Sequence, residues 1–160
     1  MRAARLKAAV AVNQELIMLY WSIGRDILTR QTAEGWGARA IDRLAADLRR
    51  DFSEMTGLSP RNLKYMRAFA EAFANEEIVQ QLVAHLPWGH NVKLIEMLKD
   101  SEERLWYARQ AVQHGWSRNV LVHQIEIGLH RRQGKALTNF ARTLPAPQSE
   151  LAQELIKDQF

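Results

Sequence analysis

Apolar residues recur every three or four positions along most of this sequence, the spacing that places side chains on one face of an α-helix. Leu16, Tyr20, Ile23 and Ile27 follow it, and residues 41–52 carry a second stripe of the same kind. No useful run alternates apolar with polar residues, and neither Asn-Gly nor Asp-Gly hairpin turns occur. The sequence therefore predicts an all-α fold, a multi-helix bundle without a substantial sheet.

Residues that favour helix ends divide these stripes into separate helices. The hydroxyl of Ser59 can cap free backbone N–H groups and Pro60 suits the first helical position, so one helix is predicted to begin there. Asp100 with Glu103 has the spacing of a capping box. The later helices are predicted over residues 78–86, 92–98, 100–114 and 117–133.

Length and composition indicate one soluble helical domain over residues 1–143, followed by a connector and helix over residues 144–160. A chain of 160 residues with 47% apolar and 25% charged residues can bury one sizeable core. Pro145 and Pro147 favour a stiff connector, and Ser149 suits the start of a final helix. No long apolar run indicates a membrane span, and the absence of cysteine fits a cytoplasmic protein without disulfides.

Charge is distributed unevenly along the chain. Residues 1–70 carry a net charge of +5, residues 71–127 carry −3 and residues 128–160 carry +2. The N-terminal part is therefore the one suited to a polyanionic partner such as nucleic acid.

The region at about 39–74 has the pattern of a helix-turn-helix. An amphipathic helix, a short segment containing Gly57 and a second amphipathic helix follow one another there. On the second helix the apolar residues cluster on one arc and the basic residues on the other, as entry into a DNA groove requires. The candidate nucleic-acid contacts are Arg61, Asn62, Lys64, Tyr65 and Arg67 on this helix, with Arg49 and Arg50 at the end of the preceding one.

An ordinary solvated helix face explains the same spacing. Arg49 and Arg50 also have a structural role available, because cations near a helix C-terminus interact favourably with its dipole. Spacing alone leaves both interpretations open.

Two short segments that begin with tryptophan supply secondary candidates. Residues 88–92 and 116–120 share Trp, Asn and Val at the same spacing, and they offer Trp88, His90, Asn91, Arg118 and Asn119 for binding. The alternative is that each Trp fills the joint between two helices while Asn91 or Ser117 caps the next helix.

No catalytic, metal or cofactor site is predicted in this chain. His123, Glu126 and His130 are close in sequence but have no further ligand at a defined spacing. Phosphate-binding loops, zinc-binding His-Glu-x-x-His and nucleophile elbows do not occur.

Several long motifs resemble the N-terminal domain of YhcG-type proteins. They include "VNQELIMLYWSIGRDI", "GLSPRNLKYMRAF", "LPWGHNVKLIE" and "WYARQAVQHGWSRNVLVHQIE", and the resemblance extends from about Leu6 to Asp158. It implies a nuclease of the PD-(D/E)XK superfamily with this helical part in front of the catalytic core. It also implies a helix-turn-helix of the winged type, although the sequence shows no strand pair for a wing.

The nuclease core that the resemblance implies uses an Asp and an Asp/Glu-x-Lys set on adjacent strands to hold Mg²⁺. No such set occurs between Met1 and Phe160. We therefore expect this chain not to be an enzyme and to contain no cofactor, with Mg²⁺ bound only by the missing nuclease domain.

The sequence supports two functional hypotheses. In the first, the chain is a DNA-binding or targeting module, whose partners are DNA and its own C-terminal nuclease domain. In the second, it is a protein–protein interaction or homodimerisation domain of that nuclease, with no direct DNA contact.

Overall fold

The computed structural model describes residues 1–35 and 37–134, and these residues are almost entirely helical. The helices are α1 (Arg2–Glu34), α2 (Ala38–Asp51), α3 (Pro60–Ala72), α4 (Glu76–Gln81), a 3₁₀ turn (Val83–His85), α5 (Trp88–Met97), α6 (Ser101–His114) and α7 (Arg118–Glu126). Residues 129–134 are again helical. The predicted all-α fold is confirmed.

The chain divides into two compact units, one covering Met1–Ile95 and the other beginning at Glu96. The predicted domain boundary at residue 143, the proline-containing connector and the final helix lie outside the described residues. They stay predictions.

The first unit is built around the contact between α1 and α3. Gly24 of α1 is buried, and a Cβ at that position would overlap the carbonyl group of Met66 in α3. Only glycine lets the two backbones approach this closely. The core around this crossing contains Tyr20, Ile27, Ile41, Ala45, Leu58, Leu63 and Met66.

The two ends of α1 have different surroundings. Residues 1–12 are exposed on every side, and we call residues 2–12 the N-terminal arm. Farther along the helix, Ile17, Tyr20 and Ile27 are buried. Only the later part of α1 therefore contributes to the core of the first unit.

The second unit is organised around Tyr107, which is fully buried. Its hydroxyl donates to the Gln124 carbonyl over 3.4 Å and accepts from the His130 backbone N–H over 3.2 Å. Burial raises the pKa of Tyr107, and it lowers the pKa of Arg104, which donates to the Leu98 carbonyl over 2.5 Å. Both side chains fasten α6 to backbone groups elsewhere in the unit.

Local capping was predicted correctly at three helix starts. The side chains of Ser59, Asp100 and Ser117 accept from backbone N–H groups three residues ahead, at 3.1, 3.0 and 3.2 Å. Gly115 adopts the left-handed conformation (φ 63°) that ends α6.

Three other boundaries differ from the prediction. The helix predicted over residues 78–86 is α4 followed by the 3₁₀ turn, and α5 begins at Trp88 instead of Val92. The helix predicted to continue to Gln133 ends at Glu126, because a turn containing Gly128 (φ 67°) interrupts it.

The helix pair α2–α3 is present, but its geometry does not establish a helix-turn-helix. Residues 52–59 join the two helices, which is longer than the turn of about three or four residues typical of that motif. The principal neighbour of α3 is α1, with α2 a lesser one. No strand occurs within the described residues, so the wing that the resemblance implies is not found there.

Candidate nucleic-acid interface

Helix α3 is held by one face and exposed on the other. Pro60 occupies its first position, after the Ser59 cap. Leu63, Met66 and Phe69 on the inner face have no exposed surface. Their burial fixes which side chains of α3 face outward.

Arg61 and Lys64 are both exposed on the outer face. Arg61 lies over the ring of Tyr65, with its guanidinium carbon 5.7 Å from the ring centroid, and donates to the Tyr65 hydroxyl over 3.4 Å. A cation held against an aromatic ring in this way is partly oriented before any ligand arrives. Lys64 forms no ion pair with the carboxylates in the part of the chain that the structure describes.

Arg67 lies closer to the domain than these two cations. It is half-buried, and its Nε is inaccessible to solvent and has no hydrogen-bond acceptor among the described residues. Its aliphatic stem therefore lies along the protein, which shortens its reach toward a ligand.

Two contacts with α1 hold α3 on the side opposite its outer face. The Gly24 crossing brings the backbones together, and the Trp21 indole Nε1 donates to the Phe73 carbonyl at the end of α3 over 2.7 Å. The sequence alone does not predict this role of Gly24. A lone glycine inside an apolar helical stripe was the available signal.

Asn62 and Trp88, two predicted contact residues, are hydrogen-bonded to each other within the domain. The Asn62 amide donates to the Gly57 carbonyl over 2.6 Å, and its oxygen accepts from Trp88 Nε1 over 2.8 Å. The Trp88 ring also meets Tyr20 and Phe69 edge-on, with centroids 4.9 and 5.2 Å apart. Their contact with nucleic acid stays a prediction, whereas the alternative that Trp88 fills a joint between helices is confirmed.

Tyr20 completes this support at the connector before α3. Burial raises the pKa of its hydroxyl. A Cβ at Gly57, whose φ is +83°, would meet that hydroxyl. Gly57 is therefore needed both for its backbone conformation and for its lack of a side chain.

His90 and Asn91, two secondary candidates, are buried. His90 is 8% exposed and Asn91 has no exposed surface. The Asn91 amide donates to the Val83 carbonyl over 3.0 Å, so this residue lies within α5 and secures the 3₁₀ turn before it. The alternative that Asn91 caps the helix is wrong as well, because the helix has already begun at Trp88.

The two arginines at the end of α2 are engaged within their own helix. Arg50 forms ion pairs with Asp47 (3.3 Å) and Asp51 (3.5 Å), and Arg49 donates from Nε to the Ala45 carbonyl over 3.3 Å. The two carboxylates offset the positive charge of Arg50. Of the predicted set, Arg61 and Lys64 are therefore the better candidates.

In the second unit, Arg118 and Asn119 are exposed at the start of α7, directly after the Ser117 cap. They stay secondary candidates. Within the described ranges, no group of three or more His, Cys, Asp or Glu residues could hold a metal ion. His123, Glu126 and His130 therefore do not form such a group. These residues do not fit a Mg²⁺ site.

No helix in the described part of the chain combines the length and apolar character that crossing a membrane requires. No solved structure matches this protein.

Comparison with known sequences identifies the family. The chain is 25% identical over 194 aligned residues to the protein named "putative nuclease YhcG" of Escherichia coli (strain K12). The match covers 99% of this chain but 51% of that protein, so the chain spans about half the length of this relative. The DUF1016 N-terminal domain family matches residues 1–132, and the chain accordingly belongs to that family.

Proposed function

We propose that this domain binds double-stranded DNA through the outer face of α3 and so directs a nuclease to its substrate. The observation that carries the proposal is the pair of exposed cations, Arg61 and Lys64, on a helix whose opposite face is completely buried. A rigid, convex and positively charged helix has the shape and charge that suit the major groove.

Charge availability supports this proposal. Exposed cations contribute to DNA binding when they neutralise phosphates and release counterions. Lys64 has no carboxylate partner within the described residues, whereas Arg50 has two. Arg61 is directed by Tyr65, and we assign Arg61 and Lys64 to phosphates or base edges, with Tyr65 as a secondary contact. Arg67 contributes less, because its stem lies along the domain.

The naming of the YhcG relative as a nuclease supports nucleic acid as the partner. We assign cleavage, and the Mg²⁺ that a PD-(D/E)XK core would use, to the part of such a protein outside the region matched here. The present domain then binds and orients the DNA and does not catalyse its cleavage. The proposal requires the cytoplasmic location that the cysteine-free sequence predicts.

The test is a titration of a labelled DNA duplex of about 30 base pairs by fluorescence anisotropy at several salt concentrations. Each lost phosphate contact lowers the slope of log K against log salt concentration by about 0.9. The double variant Arg61→Ala/Lys64→Ala should therefore bind more weakly, with a slope lower by about 1.8.

Lys99→Ala/Arg109→Ala is the matched control, because it removes the same charge from two exposed positions that do not belong to α3. It should retain the parent slope. Identical slopes for the parent and the α3 variant would contradict the proposal, as would equal losses in both double variants.

A second candidate function is protein–protein interaction, including homodimerisation. The observation that favours it is the N-terminal arm, which is exposed on every side although it carries apolar residues. Light scattering on the sample used for the DNA titration separates the two functions. A stable dimer that ignores the duplex would favour the second.

A further inference from the structure

The apolar stripe that packs α1 into the first unit continues onto the N-terminal arm. Its positions alternate three and four residues apart: Ala3, Leu6, Val10, Asn13, Ile17, Tyr20, Gly24 and Ile27. The last four are buried, and the first three are exposed. The same packing surface thus extends beyond the edge of the folded unit.

Asn13 is the first residue of the stripe that another segment of the domain contacts. Its side-chain amide donates to the Ala84 carbonyl over 3.2 Å and to the Leu86 carbonyl over 3.1 Å. Before this residue no described segment covers the stripe, and Leu6 and Val10 are 67% and 45% exposed. A shallow apolar groove runs beside them, lined by Ala3, Leu6, Lys7, Val10, Ala11 and Gln14.

The shape of this surface fits a helix. Alternating spacings of three and four residues produce the narrow seam through which two helices pack together. A helix that lies in a membrane surface requires a much wider apolar face. On the arm the large apolar side chains of the stripe are Leu6 and Val10, with alanines around them and Val12 on the other side. Two aligned side chains of this size fit a seam with a second helix better than a broad lipid surface.

The charges of the arm define the chemistry of that helix. At about 100° per residue, Arg2 and Lys7 lie on opposite flanks of the stripe. The first carboxylate in the chain is Glu15. Charges on the flanks of a helix–helix seam determine which partner is accepted. A second copy of the arm, paired antiparallel, would bring Lys7 against Lys7, whereas acidic flanks would complement both cations.

We propose that the arm is a docking site for an acidic amphipathic helix of a partner protein. The apolar face of that helix covers Leu6 and Val10, and its carboxylates pair with Arg2 and Lys7. This surface is separate from the outer face of α3, so the inference does not depend on DNA binding.

The probe is a labelled 21-residue peptide with Leu at the seam positions and Glu at every flanking position, whose own repulsion keeps it monomeric. Fluorescence anisotropy with the full 160-residue chain should show saturable binding. Leu6→Asp/Val10→Asp should weaken it by at least about tenfold, because two buried apolar side chains are lost. Arg2→Glu/Lys7→Glu should also weaken it, and a peptide with Lys in place of Glu should bind this variant better than it binds the parent.

Val12→Asp is the matched control, since Val12 is 66% exposed and lies on the other side of the arm. It should leave the affinity within about twofold of the parent. Circular dichroism checks that each variant retains its helices.

Three results would overturn the inference. The first is no peptide binding up to about 1 mM, which corresponds to a binding free energy weaker than about 4 kcal/mol. The second is an equal effect of the Val12 and Leu6/Val10 substitutions. The third is occupation of the arm by something else, seen either as a dimer that Leu6→Asp/Val10→Asp abolishes in sedimentation equilibrium, or as arm-dependent binding to vesicles of anionic phospholipid without peptide binding.

Discussion

Residues 88–92 and residues 116–120 share Trp, Asn and Val at the same spacing, yet the two segments give these side chains different surroundings. In the first, the Trp88 indole donates to Asn62, and Asn91 has no exposed surface. In the second, Trp116 is half-buried and stacks on His114, with centroids 5.9 Å apart, and Asn119 is exposed.

The difference arises from where each helix begins. Helix α5 begins at the tryptophan itself, after Pro87, so Asn91 is its fourth residue and turns inward. Helix α7 begins two residues after its tryptophan, because Ser117 is the cap, so Asn119 is its second residue and faces solvent. A shift of two residues in the helix start thus changes the same side chain from core to surface.

The largest difference between the segments should appear when each tryptophan is replaced by alanine. Trp88→Ala removes two edge-on aromatic contacts and leaves the Asn62 oxygen without its donor, which should lower the free energy of unfolding by about 3 kcal/mol. Trp116→Ala loses one stacking contact, and about 1 kcal/mol is expected. Urea denaturation followed by circular dichroism measures both. Equal losses would show that the two tryptophans have the same role.

The asparagines should give a smaller difference in the same direction. Asn91→Ala removes a buried side chain and its hydrogen bond to the Val83 carbonyl, which keeps the Leu86 N–H as a donor, at a cost of about 2 kcal/mol in the free energy of unfolding. Asn119→Ala should change stability by less than about 0.5 kcal/mol. A destabilisation by Asn119→Ala as large as that by Asn91→Ala would contradict the burial difference.

The smallest effect concerns the cap that makes the second segment different. Ser117→Ala should cost about 1 kcal/mol, because the Val120 N–H loses its 3.2 Å acceptor. Ser117→Asp retains an acceptor at the same place and should keep most of the stability. If thermal unfolding of the Ala and Asp variants were indistinguishable, the cap would not be what starts α7.

Structural features that depend on local interactions are predictable from this sequence. The caps at Ser59, Asp100 and Ser117 each involve a backbone group three residues ahead, so a short window of sequence contains all the required information. Helical periodicity likewise predicted which face of α3 is buried.

The contacts of a side chain are not predictable in this way when its partner is distant in sequence. Asn62 bonds to Trp88, 26 residues farther along the chain, and periodicity contains no record of that pairing. Asn91 is a residue type that often caps helices, so the sequence suggests a cap. Its actual hydrogen bond to the 3₁₀ turn depends on how the preceding segment folds. The outward direction of Arg61 and Lys64 was predictable from the sequence, whereas the identity of the ligand is not encoded in helical spacing.

The crossing at Gly24 has a mechanical consequence for α3. Main chain rests on main chain there, so no side chain is available to change rotamer and let the two helices slip past each other. A load applied to the outer face of α3 is therefore transmitted directly to α1, and we expect the two helices to move together. A ligand of that face must fit a fixed shape. The helix pair then loses little conformational entropy when the ligand binds.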